Sequence, residues 1–152
     1  MCQIETNLQG LSNSTRGRTP SRQLAVMAMF MCCLSWQASA ADTTPREQLN
    51  QWSAKAGAPG DPEKGRVFFN SKHGSNWSCA SCHQSPPTIA GKHASTSKPI
   101  KPLAPAFNAD AFTETAKVNK WFKRNCQDVL KRECSASEKA DVLAYLLSLK
   151  NH

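Results

Sequence analysis

Residues 79–83 read CASCH, inside the longer stretch NWSCASCHQSPP at positions 76–87. Two cysteines three residues apart, with a histidine directly after the second, have the spacing of covalent haem attachment. The chemistry requires this pattern because the thiols of Cys79 and Cys82 add to the two vinyl groups of haem. His83 then lies under the iron as its proximal ligand. The motif therefore predicts one covalently attached haem c.

Two other uses of a Cys-x-x-Cys motif fit this sequence less well. A zinc site needs a second ligand pair at similar spacing, whereas Cys126 and Cys134 are eight residues apart with no histidine between them. A thioredoxin-type redox pair belongs near a βαβ pattern, which the sequence does not show. A second haem is excluded because no histidine follows Cys134.

Residues 1–40 have the features of a secretory signal peptide. Arginines precede the apolar run Leu24–Trp36, and the small-residue sequence ASA at 38–40 fits a cleavage site. The apolar run is shorter than the roughly 20 residues that a membrane-spanning helix needs. We therefore predict cleavage after Ala40, leaving residues 41–152 as a soluble periplasmic domain without stable membrane insertion.

Cleavage would also remove three of the seven cysteines. Apart from the two haem cysteines, the remaining chain then contains only Cys126 and Cys134. Two cysteines that close a short loop in an oxidising compartment are expected to form a disulfide bond. This bond would staple two helix ends or hold the position of Asn125, the residue before Cys126.

The predicted mature chain is basic, with 16 lysines and arginines against 10 acidic residues, a net charge of about +6. Such a charge suits an acidic protein partner or an ordinary solvated surface, and both interpretations stay open. No nucleic-acid partner is expected.

Local signals predict an all-α fold of short helices around the haem. A capping box with proline at the first helical position predicts a helix from Thr44 that ends near Gly57. Similar start signals at Asp61 and Ser135 predict two more helices. Apolar residues at three- and four-residue spacing predict an amphipathic helix within residues 111–125. Five prolines between Gln84 and Pro105 predict a loop, which we expect to wrap around the cofactor.

The residue on the far side of the iron is not a methionine in the predicted mature chain. All four methionines lie at or before position 31, so the thioether ligand common in cytochromes c is excluded. His93, in the proline-rich loop, would give a bis-histidine haem, and Asn125, near a helix end, would give an unusual amide ligand. The residues alone leave these two level. The other candidates are His73, His152, a lysine, or no ligand.

Beyond the attachment motif, the chain resembles a known family of oxygen-binding cytochromes c, the sphaeroides haem protein (SHP) family. The similarity extends from Thr44 to Leu149. It rests on AGAPGDPEKGRVFF at 56–69, CASCH at 79–83, KPLAP at 101–105, KWFKRNC at 120–126 and SEKADVLAYL at 137–146.

This resemblance implies a class I cytochrome c fold with an asparagine as sixth ligand. Asn125 would be that ligand, Cys126 and Cys134 the disulfide, and reduction would release Asn125 to open a site for O2, NO or CO. The implied partners are a dihaem cytochrome c and a membrane cytochrome b. Trp121, one turn before Asn125, would wall the distal pocket or belong to the core.

Three functional hypotheses follow from these residues. The first is an exported monohaem cytochrome that carries electrons and binds diatomic ligands at a site vacated by Asn125. The second is an ordinary electron carrier with a bis-histidine haem that uses His93. The third is a haem enzyme that reduces oxygen or peroxide, for which the sequence shows no identifiable acid–base residue on the distal side.

Overall fold

The computed structural model describes residues 41–150. The predicted signal peptide, residues 1–40, and the candidate ligand His152 lie outside the described residues. Their predictions therefore stay predictions.

Five helices and one pair of very short strands make up the described fold. The helices are α1 (Pro45–Ala56), α2 (Pro62–Asn70), α3 (Ala80–His83), α4 (Thr115–Leu130) and α5 (Ala136–Ser148). Strands β1 (Gly91–Lys92) and β2 (Pro99–Ile100) pair antiparallel, and a 3₁₀ turn covers Pro105–Phe107. Within residues 41–150, no helix is both long enough and apolar enough to cross a membrane.

The predicted helix starts are confirmed. They could be predicted because each cap joins residues that are close together in the chain. Thr44 and Ser135 each form a reciprocal capping box with the glutamate three residues later. The Asp61 carboxylate accepts hydrogen bonds from the first turn of α2. Helix α1 ends at Gly57, whose left-handed φ of 70° suits a glycine cap.

Helix α5 is the centre of the core, and α1 and α2 both pack on it. At the crossing of α2 and α5, Gly65 brings the two backbones into direct contact. A side-chain carbon at this glycine would overlap the carbonyl group of Asp141 and approach Cβ of Tyr145 to 2.9 Å. Phe69, Leu143 and Leu146 are almost fully buried around this crossing, each contributing about 2 kcal/mol through removal of apolar surface from water.

The helix predicted at 111–125 starts later and continues further than the periodicity indicates. Helix α4 begins at Thr115, whose backbone N–H donates to the carboxylate of Asp42 at 2.7 Å. Phe112 lies before the helix in a left-handed conformation with φ 62°, and its ring packs against Phe122. The apolar spacing of Phe112 thus reflects a shared core contact rather than a shared helix.

The proline-rich segment is mainly loop, as predicted, but it also contains the β1–β2 pair that the sequence pattern did not indicate. Gly91 pairs with Ile100 and Lys92 with Pro99. The loop is further tied by backbone hydrogen bonds from Leu103 and Ala104 to the carbonyl of Pro87, both 3.1 Å long. Two-residue strands are too short to produce a readable alternation of polar and apolar residues.

An ion pair at the start of α5 makes the stability of this fold depend on acid pH. The Arg132 guanidinium donates to both carboxylate oxygens of Glu138, at 2.6 and 2.8 Å, and this lowers the pKa of Glu138 from 4.5 to about 2. A carboxyl with a lowered folded-state pKa stabilises the protein above pH 4.5, and this contribution is lost as the pH falls towards 2.

We expect Glu138→Gln to destabilise the protein at pH 7 by about 1 kcal/mol, because glutamine keeps the size of the side chain but loses the charge. Urea unfolding at pH 7, 4.5 and 2.5 should show this difference shrinking as the pH falls. An equal difference at all three pH values would show that the ion pair is not its cause.

Candidate haem site

Helix α3 places the three attachment residues on one turn. Its backbone hydrogen bonds run from Cys82 and His83 to the carbonyl of Cys79, at 3.2 and 3.1 Å. The side chains of Cys79 and Cys82 are half-buried free thiols. Burial raises the pKa of Cys79 to about 11, so this sulfur is a neutral thiol at pH 7. A thiol adds to a vinyl group by forming a carbon–sulfur bond while its hydrogen passes to the other vinyl carbon.

His83 is a neutral imidazole held by packing. Its Nδ1 is buried and has no hydrogen-bond partner within residues 41–150. The ring packs against Phe69, with ring centroids 6.4 Å apart, and burial lowers the pKa of His83. Because Nδ1 is enclosed and the ring is uncharged, Nε2 is the nitrogen that can bind a metal.

Two contacts at opposite ends of the turn hold it in shape. At its start, Ser78 and Ser81 exchange hydrogen bonds between their side chains and backbones. At its end, Gly91 of β1 approaches the carbonyl oxygen of Cys82 so closely that a side-chain carbon would overlap it. The sequence reasoning missed all three residues, although the Ser-x-x-Ser spacing across the first cysteine was a readable signal for the first contact.

Helix α4 carries the proposed distal residues at the edge of its buried face. Val118, Phe122 and Cys126 turn towards the core, whereas Asn125 is exposed. The amide of Asn125 makes no side-chain hydrogen bond in the described part of the chain. Trp121, one turn earlier, is 44 % exposed, so its interpretation as a core residue is wrong.

A disulfide bond between Cys126 and Cys134 ties α4 to the start of α5, with Cα atoms 5.5 Å apart. Both cysteines are buried and pack with Val129 and Leu130. The residue next to Asn125 is therefore anchored covalently as well as by packing. Of the cysteines in residues 41–150, this leaves Cys79 and Cys82 as the free thiols.

The two other described histidines are engaged in local hydrogen bonds. The Nδ1 of His93 accepts from the backbone N–H of Thr96 at 3.3 Å and lies 3.2 Å from the hydroxyl of Ser95. The Nε2 of His73 lies 2.8 Å from the carbonyl oxygen of Phe68, and the rings of these two residues pack at a tilt of 36° with centroids 4.3 Å apart.

These residues fit a covalent haem. Two free thiols and a neutral imidazole on a single turn are the donor set that haem c requires, and the enclosed Nδ1 of His83 leaves Nε2 for iron. Among residues 41–150, no cluster of three or more histidines, cysteines and carboxylates could hold a separate metal ion. A helical fold around such a turn is typical of the class I cytochromes c.

Comparisons with known proteins agree with this class. A family described as "Domain of unknown function (DUF1924)" matches residues 55–146. Cytochrome c-type protein SHP of Cereibacter sphaeroides is 44 % identical over 117 residues, covering 74 % of this chain and 90 % of SHP. The chain belongs to this SHP family of c-type cytochromes.

Two solved structures share the fold. The structure of oxidised SHP, described as an oxygen-binding cytochrome c, matches with a TM-score of 0.67 and 44 % identity. The match covers 71 % of this chain and 99 % of the SHP chain. Oxidised cytochrome c'' from Methylophilus methylotrophus matches with a TM-score of 0.66 and 34 % identity, over 70 % of this chain and 95 % of its own. The protein is thus a monohaem cytochrome c with one covalent haem, and the predicted class I fold is confirmed.

Proposed function

We propose that this cytochrome carries electrons and, when reduced, binds a diatomic ligand such as O2, NO or CO at a position that Asn125 vacates. Cys79 and Cys82 hold the haem covalently, and His83 Nε2 is the proximal ligand. The haem supplies a one-electron redox centre with one further coordination position. Whether Asn125 binds or leaves that position determines whether a diatomic ligand can bind there.

The observation that carries this proposal is the free amide of Asn125 beside an anchored backbone. The side chain has no competing hydrogen bond in the described residues, while Cys126 is fixed by the disulfide and by burial. An anchored backbone with a free side chain allows the amide to leave a ligand position and return to it without unfolding α4.

The chemistry of an amide oxygen favours a labile ligand. It is a neutral, weak-field donor, so it binds ferric iron chiefly through attraction to the metal's positive charge. Reduction lowers that charge and weakens the attraction.

The tautomer of His93 argues against the bis-histidine alternative. Because the backbone N–H of Thr96 can only donate, Nδ1 of His93 must accept, and the single proton of the neutral ring then lies on Nε2. A protonated nitrogen has no lone pair for iron. Binding through Nε2 would therefore require His93 to lose its hydrogen bond from the Thr96 N–H and to change its tautomer.

We predict that His93→Ala leaves the ferric and ferrous absorption spectra of the purified protein unchanged, because its ring takes part in a loop turn. His73→Ala is the matched control, since this histidine is likewise held by a local hydrogen bond, from its Nε2 to the carbonyl of Phe68. Conversion of a low-spin ferric spectrum to a high-spin one in His93→Ala alone would instead establish the bis-histidine haem.

The relative SHP supports the oxygen-binding part of the proposal, since it is an oxygen-binding cytochrome c. We further propose a periplasmic location, supported by the signal features of residues 1–40. A dihaem cytochrome c and a membrane cytochrome b are the proposed electron donors. The net charge of about +6 on residues 41–152 suits docking with an acidic partner surface.

A further inference from the structure

The serines at 78 and 81 form a closed pair of hydrogen bonds around the first haem cysteine. The Ser78 backbone N–H donates to the Ser81 hydroxyl oxygen at 3.0 Å, and the Ser81 backbone N–H donates to the Ser78 hydroxyl oxygen at 3.2 Å. The two hydroxyl oxygens are themselves 3.2 Å apart. We call this arrangement the serine box.

The serine box resembles a helix capping box, but its second side chain is shorter than the usual glutamate or glutamine. In the usual box, a glutamate or glutamine three residues after the cap reaches back to the cap's own N–H. Here Ser81 makes that return bond, which its short side chain achieves because the backbone of the turn is tight. Ser78 is buried, so its N–H and hydroxyl have little access to water. The box satisfies these groups inside the chain.

The box lies around Cys79 and determines where the other two attachment residues fall. Closing residues 78–81 into a turn directs the N–H groups of Cys82 and His83 back to the carbonyl of Cys79. Gly91 supports the same turn from its far end by close contact with the Cys82 carbonyl. Every one of these contacts is made by the polypeptide itself.

We infer that Ser78 and Ser81 are positioning residues for haem attachment. By closing the turn before any thioether bond exists, they bring both thiols and the His83 ring to the spacing that one haem requires. Ser81, a residue between the two cysteines, is therefore part of the attachment machinery. A chain without the box keeps the backbone bond from the Ser81 N–H to the Ser78 carbonyl, but it spends less time in the closed turn.

Removing the box should slow attachment in proportion to the fall in the fraction of time that the turn is closed. Loss of a serine cap typically shifts a helical equilibrium by about fivefold. We expect the full chain carrying Ser81→Ala, expressed with a haem-attachment system, to incorporate haem about fivefold more slowly than the wild type. The measurement is the ratio of haem-bearing to haem-free polypeptide by intact mass, followed in time after induction.

Three further variants make this test specific. Ser81→Gln should restore attachment because its longer side chain can make the return bond of a capping box. Ser78→Ala together with Ser81→Ala should be slower than Ser81→Ala alone, because Ser81→Ala leaves the bond from the Ser81 N–H to the Ser78 hydroxyl in place. Ser137→Ala, an exposed serine without a side-chain hydrogen bond in residues 41–150, should attach haem at the wild-type rate.

A wild-type rate of attachment in Ser81→Ala would overturn the inference. Slow attachment in both Ser81→Ala and Ser81→Gln would also overturn it, because the effect would then come from the serine hydroxyl itself and not from the capping bond. The inference rests on the covalent haem and not on the role of Asn125, so its failure would leave the proposed function intact.

Discussion

Replacing Asn125 with alanine is expected to change the ferric absorption spectrum and to increase the affinity of the ferric protein for added ligands. Alanine cannot supply an amide oxygen, so the position that we propose for Asn125 becomes open to water or to an exogenous anion. An internal ligand that occupies roughly nine-tenths of the sites lowers the apparent affinity of a competitor about tenfold. Titration of both proteins with azide should therefore show roughly that gain.

Asn119→Ala is the matched control for this experiment. Asn119 is an exposed asparagine on the same helix, so the substitution removes the same group and tests any general effect on α4. Its spectrum and azide affinity should equal those of the wild type. Identical spectra for Asn125→Ala and the wild type would show that Asn125 is not a ligand.

The second large effect is on stability, at the crossing of α2 and α5. We expect Gly65→Ala to lower the free energy of unfolding by about 3 kcal/mol. The added methyl group meets the backbone carbonyl of Asp141, and a backbone group cannot turn away as the end of a flexible side chain can. Urea unfolding followed by far-ultraviolet circular dichroism measures this change.

Gly65→Ala should also disturb the packing of His83, because aromatic rings connect the crossing of α2 and α5 to this histidine. Tyr145, beside Gly65, packs on Phe69 with centroids 5.6 Å apart, and Phe69 packs on His83. Gly57→Ala provides a comparison, since its Cβ would meet no atom within 4 Å and only the left-handed backbone costs about 1 kcal/mol. A loss in Gly65→Ala no larger than in Gly57→Ala would show that the two helices can separate at little cost.

Features that depend on neighbouring residues in the chain could be predicted from the sequence. Thr44, Asp61 and Ser135 start helices because their side chains bond backbone groups two or three residues away, and such bonds form wherever the chain folds locally. The attachment motif is readable for the same reason, since haem chemistry constrains five consecutive residues. The exclusion of a methionine ligand needed only the predicted cleavage site, because all four methionines lie at or before position 31.

Features that depend on tertiary contacts could not be predicted. Gly91 supports the attachment turn from nine residues beyond Cys82, and no local pattern marks that approach. The apolar spacing of Phe112 suggested helix because its contact with Phe122 across the core imitates helical periodicity. The proposal of Asn125 rather than His93 as the sixth ligand uses the hydrogen bond from the Thr96 N–H to Nδ1 of His93, a contact within the folded loop that no sequence pattern marks.

Carbon monoxide binding to the reduced wild-type protein tests most directly whether the sixth position opens on reduction. Rapid mixing of the reduced protein with carbon monoxide should give complete binding, with one molecule per haem, while the ferric protein shows a high-spin spectrum. A low-spin spectrum in both oxidation states, with a reduced form that resists carbon monoxide, would contradict the release of Asn125.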